Sequence, residues 1–528
     1  MSCSNIGARK NRNIRDHWFV INAVINDTFK KKSNVDIEIM DIAKCFDKMW
    51  YEEIGNDVFK AGVTDDKFVI LANANKTCKV AVKTPWGSMT DRITLNKLEM
   101  QGTVPAPLKA FVQLDTLGKE CIETGEGLFK YKDCVNITPL IMIDDVLAIS
   151  SCGNDSVKLN AIVQSKIETK QLMFGTKKCF KLHIGSKCKT TCPTLNVHGQ
   201  EMKSVDQEKY LGDILSNDGK IDKNIQARQN KGQGYVNQIV SMLKEISFGF
   251  YYFEMAMLFR TTILINGMLC SSEALHGITN AHINQLESCD IMLFKTIFST
   301  PGSTPTAAFY LETGAVPMRF LLIGRRLMFL WTILQKDSNE LVRKVYEAQK
   351  LFPIKDDFIN QIREDCDNIG LEWDENSIKN LKKTRFKEIV KSKLRNSAHT
   401  YLLEKKEKLS KLDHLSSDYS LKDYLTSHKL SIKEKQILFK LRTRMIDVKA
   451  NYPSMYKQEL FCSLCESKSI ENQQHLLDCP SLKINSCTQI QYSDMFSENI
   501  EKQIEAAKHW NNVLKIREIK LKIKQTSL

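Results

Sequence analysis

The chain has 528 residues, 42% of them hydrophobic and 26% charged, which excludes a core-poor disordered polymer and leaves room for several domain cores. Its 76 Lys+Arg against 62 Asp+Glu give a net charge of +14, which suits a polyanionic partner such as nucleic acid. Only 23 glycines and 11 prolines supply turns, too few for an all-β sandwich, so helix leads. Cysteines stand mostly singly in apolar stretches, as at Cys45, Cys78, Cys270 and Cys289, the pattern of small hydrophobes in a reducing compartment. The first residues are charged throughout, and the most apolar stretches, 250–270 and 320–334, are broken by Glu254, Arg260, Arg325 and Arg326. The expectation is an intracellular protein of nucleus or cytoplasm, with no signal peptide and no membrane span.

In chain order, short apolar runs alternate with turn residues up to about residue 215. Residues 36–40 (DIEIM) and 140–143 (LIMI) read as buried strands, each running directly into aspartate. Residues 80–82 and 90–95 read as paired strands around Pro85-Trp86-Gly87-Ser88, 157–171 as a helix, and the basic run 177–184 as extended. Beyond residue 220 the pattern turns helical. Val236, Ile239, Val240 and Leu243 share one face, and after Pro317 a stripe runs through Phe320, Ile323, Leu327, Leu330 and Leu334. Residues 379–435 are rich in lysine and read as solvated helices.

Two constellations carry chemistry. Asp41 ends one predicted strand and Asp144-Asp145 ends or turns another, so three carboxylates could converge on two hard divalent cations held about 3.5–4 Å apart. Taken alone, an Asp-Asp pair is more often a surface turn or helix cap. The second is Cys462, Cys465, His475 and Cys479, spaced C-x2-C-x9-H-x3-C, which offers three thiolates and an imidazole to one tetrahedral Zn²⁺. His183, Cys188, Cys192 and His198 form a looser candidate set.

Five motifs in order resemble the reverse transcriptases of non-LTR retrotransposons. Met40-Asp41-Ile42-Ala43-Lys44-Cys45-Phe46-Asp47 looks like the first catalytic motif, Met100-Gln101-Gly102-Thr103-Val104 like the next, and Ile141-Met142-Ile143-Asp144-Asp145-Val146 like the catalytic turn. Lys177-Lys178-Cys179 is similar to the lysine motif and Tyr210-Leu211-Gly212 to the primer grip. The family more often carries alanine where Ile143 stands. Asp41 and Asp47 also fit the spacing of viral RNA-dependent RNA polymerases, but Phe46 at the gate position and Ile143 before the pair favour DNA synthesis.

The resemblance implies an α+β, right-hand polymerase fold. Partial fingers and palm would span 1–215, a helical thumb 216–300, a basic helical linker 301–455, a CCHC zinc knuckle 456–485 and a helical tail 486–528. It implies an RNA-directed DNA polymerase that adds dNTPs to a DNA 3′-end on an RNA template, with two Mg²⁺ ions at Asp41, Asp144 and Asp145 and one structural Zn²⁺. Phe46 would exclude a 2′-hydroxyl or else be core, Gln101 and Gly102 would meet the nucleotide, and Lys177 or Lys178 the pyrophosphate. Arg9 and Arg12, in the fingers-like stretch from Gly7 to Asp16, would contact nucleic acid, as would Tyr210, Leu211, Gly212, Arg442 and Arg444. Phe309-Tyr310-Leu311-Glu312-Thr313-Gly314 resembles a linker of elements that carry a restriction-like endonuclease. No nuclease pattern follows Cys479, and the chain begins almost inside the fingers, so an N-terminally truncated fragment is expected. The alternative is a decayed or repurposed retroelement protein that binds nucleic acid without catalysis.

Overall fold

The computed structural model describes residues 5–7, 9–73, 79–95, 97, 105–185, 193–245, 249–457, 459–465, 467–483 and 490–526. The central sheet and the helices around it are built from helix α1 (Ile14–Lys31), strand β1 (Asn34–Asp41), helix α2 (Ala106–Thr124), strands β2 (Leu140–Met142) and β3 (Asp145–Ser151), helix α3 (Asn154–Thr169) and strands β4 (Phe180–Gly185) and β5 (Lys203–Ser204). The five strands form one sheet in the order β5-β4-β1-β3-β2, with β1 antiparallel to both neighbours. All six interior residues of β1 are buried, so both faces of the sheet are covered. Alternation along the strands sends Val35, Ile37, Ile39, Leu147 and Ile149 to one core, and Met40, Val146 and Ala148 to another with α2 and α3.

Like α2, helix α1 is an element that sequence patterning misses. Asn13 caps it through a capping box with Asp16, and it buries residues around its whole circumference, Trp18, Phe19, Val20 and Ile21 among them. Because Asp16, His17, Asn22 and Asp27 are buried along with the apolar residues, polar positions mark no solvent face and no clean stripe shows. The predicted hairpin pairs Lys79–Val80 with Ile93–Thr94 and closes near its turn through an antiparallel bridge between Lys83 and Met89. Cys45 and Cys289 are buried as expected, whereas Cys270 is exposed and Cys78 lies outside the described residues.

Strands β6 (Gln207–Tyr210) and β7 (Asp213–Ser216) form a hairpin that leads into helix α4 (Asp222–Glu245), which packs on helix α5 (Asn280–Phe298). Arg228 of α4 makes a buried ion pair with Asp213 at 2.6 Å, and Lys231 donates to the Gly212 carbonyl at 2.9 Å. These two bonds fix the hairpin against the helix. Helix α6 (Met318–Leu334) buries the predicted stripe. Helix α7 (Lys383–Glu407) is not wholly solvated: Phe386, Val390, Leu394, Ala398 and Leu402 recur every four residues and are buried, with lysines on the other faces. Helices α8 (Ile432–Arg442), α9 (Gln473–Asp478) and α10 (Ile500–Thr526) complete the C-terminal part. Among the described residues, no helix is long and apolar enough to cross a membrane.

Within the sheet, Glu38 is fully buried and accepts one hydrogen bond, from Asn160 Nδ2 at 2.6 Å. Burial pushes its carboxyl up to about 8, against the opposing pull of Asn160 and Lys181. A carboxyl with a raised folded-state pKa holds more protons in the folded state than in the unfolded one, so stability falls as pH rises from about 4.5 toward 8. Glu38→Gln is expected to remove that fall, raising stability at pH 8 by on the order of 2–4 kcal/mol and leaving it nearly unchanged at pH 4.5. Chemical denaturation at the two pH values checks this; an equal effect at both would contradict it.

Candidate active site

The end of β1 meets the start of β3, where Asp41 and Asp145 are direct cross-strand partners. Asp144 lies in the two-residue turn from β2, where Met142 pairs with Asp145. Ile143 opens that turn at φ 59°, a left-handed conformation that costs a non-glycine residue about 1–2 kcal/mol and is an outlier for a β-branched one. The neighbouring chain fits closely over it. Ile6 N–H donates to the Ile141 carbonyl at 3.1 Å, and a Cβ on Gly7 would lie only 3.1 Å from Ile143 Cγ1.

A second segment closes the site from the other side. Gly175 N–H donates to the Asp41 carbonyl at 2.8 Å and leads into the short turn Thr176–Lys178. That turn places Lys178 Nζ 3.2 Å from Asp41 Oδ2 and 3.3 Å from Oδ1. Of the two candidate lysines it is therefore Lys178 that reaches the carboxylates, while Lys177 is exposed on the same turn. Phe46 sits half-buried in the short helix Cys45–Lys48, packed against the core beneath the site. Gln101 and Gly102 lie outside the described residues.

Burial and neighbouring negative charge raise Asp144 and Asp145. Burial first, then the charges of Asp144 and Asp41, pushes Asp145 up to about 6, against the opposing pull of Lys178. Asp144 is raised in the same way, by burial and by Asp41. Lys178 is held more firmly protonated by its hydrogen bond and charge contact with Asp41. Carboxylate oxygens suit hard divalent cations, and Asp41, Asp144 and Asp145 are the residues here that would hold them.

Several sequence-expected nucleic-acid contacts are spent inside the protein. Arg442 is 4% exposed and bound to Glu312 at 2.8 Å, so it is a core ion pair and not a phosphate contact. Arg12 pairs with Glu340 and is equally buried. Tyr210 is also buried, its hydroxyl 2.9 Å from His17 Nδ1. Arg444 donates to the Ser410 carbonyl at 3.1 Å and contacts His414. Arg9 lies with its guanidinium 5.7 Å from the Phe111 ring centroid. Leu211 and Gly212 form the turn of the β6-β7 hairpin at φ 44° and 94°. The residues that hold this hairpin, His17, Asp213, Arg228 and Lys231, had no motif to reveal them.

The thiols and imidazole of the second constellation do converge. Donor atoms of Cys462, Cys465, His475 and Cys479 lie within 4.8 Å of one another. Leu464 N–H points to Cys462 Sγ at 3.5 Å, and Asn472 caps α9 by accepting from His475 N–H at 2.7 Å. From α10, Lys524 and Lys520 each donate, at 2.6 Å, to the Ser463 and Ser481 carbonyls. This donor set suits Zn²⁺. Of the looser set, His198 bonds to Glu168 and Phe174 and His183 to Asp36, while Cys188 and Cys192 lie outside the described residues.

No family model matches the chain, and no curated protein does. Among solved structures it is similar to telomerase from Candida albicans in complex with a TWJ fragment of telomeric RNA, at 11% identity and TM-score 0.33, over 69% of this chain and 55% of that one. Apo telomerase from Candida tropicalis gives 11% identity and TM-score 0.33, over 68% of this chain and 57% of that one. A form of the latter truncated from its C-terminal domain gives 13% identity and TM-score 0.29, over 40% and 39%. The chain thus spans less than three-fifths of the length of each. Likeness this low assigns neither residues nor activity.

Proposed function

We propose that the chain is an RNA-directed DNA polymerase of the non-LTR retrotransposon type, extending a DNA 3′-end with dNTPs on an RNA template. The observation that carries the reading is the register of Asp41 opposite Asp145, with Asp144 in the adjoining turn and Lys178 at Asp41. Asp41, Asp144 and Asp145 would hold two Mg²⁺ ions, which when bound supply a lowered pKa at the primer hydroxyl and charge for the leaving pyrophosphate. Lys178, exposed at 70% and on a short turn, is free to swing from Asp41 to the triphosphate as a mobile point charge. Gln101 and Gly102 are assigned to the incoming nucleotide. Residues 1–215 are read as fingers and palm, 216–300 as thumb and 301–455 as linker. The β6-β7 turn, braced by Arg228 and Lys231, offers Leu211 and Gly212 backbone to the primer, while Arg9 and Arg444 remain the arginines assigned to nucleic acid.

Phe46 tests the reading at the sugar. Phe46→Ala is expected to raise ribonucleotide use by about 10–100-fold relative to deoxynucleotide use, read as the ratio of kcat/KM values on a primed RNA template. An unchanged ratio would leave Phe46 as core. The knuckle at 456–485 is assigned one structural Zn²⁺ on Cys462, Cys465, His475 and Cys479. Chelation is expected to open residues 459–483 to protease about tenfold faster, because metal binding there is also folding energy. Cleavage at an unaltered rate would argue that hydrogen bonds alone hold the segment.

A further inference from the structure

The end of the sheet away from the aspartates gathers a different set of donors. Asp36 on β1 and His183 on β4 are direct register partners, and Cys152 follows β3 immediately. His183 Nδ1 lies 2.8 Å from Asp36 Oδ1, and one donor atom from each of Asp36, Cys152 and His183 falls within 4.8 Å of the other two. Asp36 is fully buried, whereas the His183 side chain is 25% exposed, so the cluster opens to solvent on one side. Lys181 Nζ sits 3.0 Å from Asp36 Oδ2 and donates to the Pro193 carbonyl at 2.9 Å. That contact orients the carboxylate and leaves Oδ1 toward the imidazole, the kind of outer partner that metal-binding carboxylates have.

We propose that Asp36, Cys152 and His183 form a second zinc site, with water as the fourth ligand, clamping β1, β3 and β4 at the end remote from Asp41. One carboxylate oxygen, one imidazole nitrogen and one sulfur make a mixed set that suits Zn²⁺ and has too few oxygens for Mg²⁺ or Ca²⁺. Binding forms bonds from the metal to oxygen, nitrogen and sulfur, and the Cys152 thiol proton leaves to solvent. Three adjacent strands hold the donors, so little rearrangement is needed. The site stands independently of any polymerase activity.

The test is the zinc content of the full chain, equilibrated with Zn²⁺ and freed of excess by gel filtration. Cys152→Ser is expected to carry one zinc fewer than the wild type, and Cys152→Ser with Cys462→Ser one fewer than Cys462→Ser alone. Equal zinc in each pair overturns the site. Should Cys152→Ser not fold, alkylation of Cys152 in the wild type, followed by peptide mass, replaces it. Zn²⁺ is expected to slow that alkylation about tenfold, and an unchanged rate overturns the proposal.

Discussion

Asp145→Asn is expected to lower deoxynucleotide incorporation by about 1,000-fold or more while RNA affinity stays within about twofold. The carboxylate faces Asp41 across the sheet and is one of three groups available to a pair of divalent ions. Asparagine keeps the shape and removes the charge, so transition-state stabilisation worth about 4 kcal/mol or more disappears. The same exchange relieves repulsion from Asp144 and Asp41, the charges that help to push Asp145 up to about 6. The metal-free variant should therefore melt no lower than the wild type, which separates lost chemistry from lost folding. Below about pH 6 the wild type should lose synthesis as Asp145 takes up a proton, and added Mg²⁺ should move that loss to lower pH. Primer extension, filter binding and thermal melting read the three quantities; parallel loss of synthesis and melting temperature would argue for a structural role.

Arg442→Ala is expected to cost about 3–5 kcal/mol of stability, the loss that follows when one member of a buried ion pair is removed. Arg442 donates from Nε and Nη2 to Glu312 at 2.8 and 3.0 Å, and from Nη1 to the Met495 carbonyl at 2.7 Å. Tyr424 adds its hydroxyl to Glu312 at 2.8 Å. The guanidinium also lies 5.5 Å from the Tyr424 ring centroid and 5.4 Å from that of Phe496. One side chain thus ties α8 to the helix Thr306–Thr313 and to the turn Tyr492–Phe496, and its removal strands Glu312 uncompensated in the core. Lysine cannot restore the fork of bonds, so Arg442→Lys should recover little. Because Arg442 releases no counterion from a phosphate, the salt dependence of RNA binding should keep its slope. Urea denaturation and a salt titration check both; a slope shallower by about one unit would return Arg442 to the nucleic-acid surface.

The parts legible in the sequence are those whose physics is local. Apolar runs that end in aspartate gave away β1 and the β2-β3 turn, and the order of motifs brought Asp41, Asp144 and Asp145 together before any geometry. The spacing of Cys462, Cys465, His475 and Cys479 did the same for a set whose donor atoms converge. What stayed hidden depends on distant partners. Arg12 and Arg442 look like nucleic-acid contacts until Glu340 and Glu312 arrive from other elements. Helix α1 has no stripe because every side of it is packed. Ile143, a strand-favouring residue, gives no hint of its left-handed turn, and His183 pairs with Asp36 across the sheet instead of joining its sequence neighbour His198.

The most direct measurement is extension of a DNA primer on a defined RNA template by the purified full chain with Mg²⁺ and dNTPs. The proposal predicts products whose length follows the template, that stop one position short of the first base whose complementary dNTP is withheld, and that vanish in Asp41→Asn. Template-independent addition, or equal extension by wild type and Asp41→Asn, would contradict it.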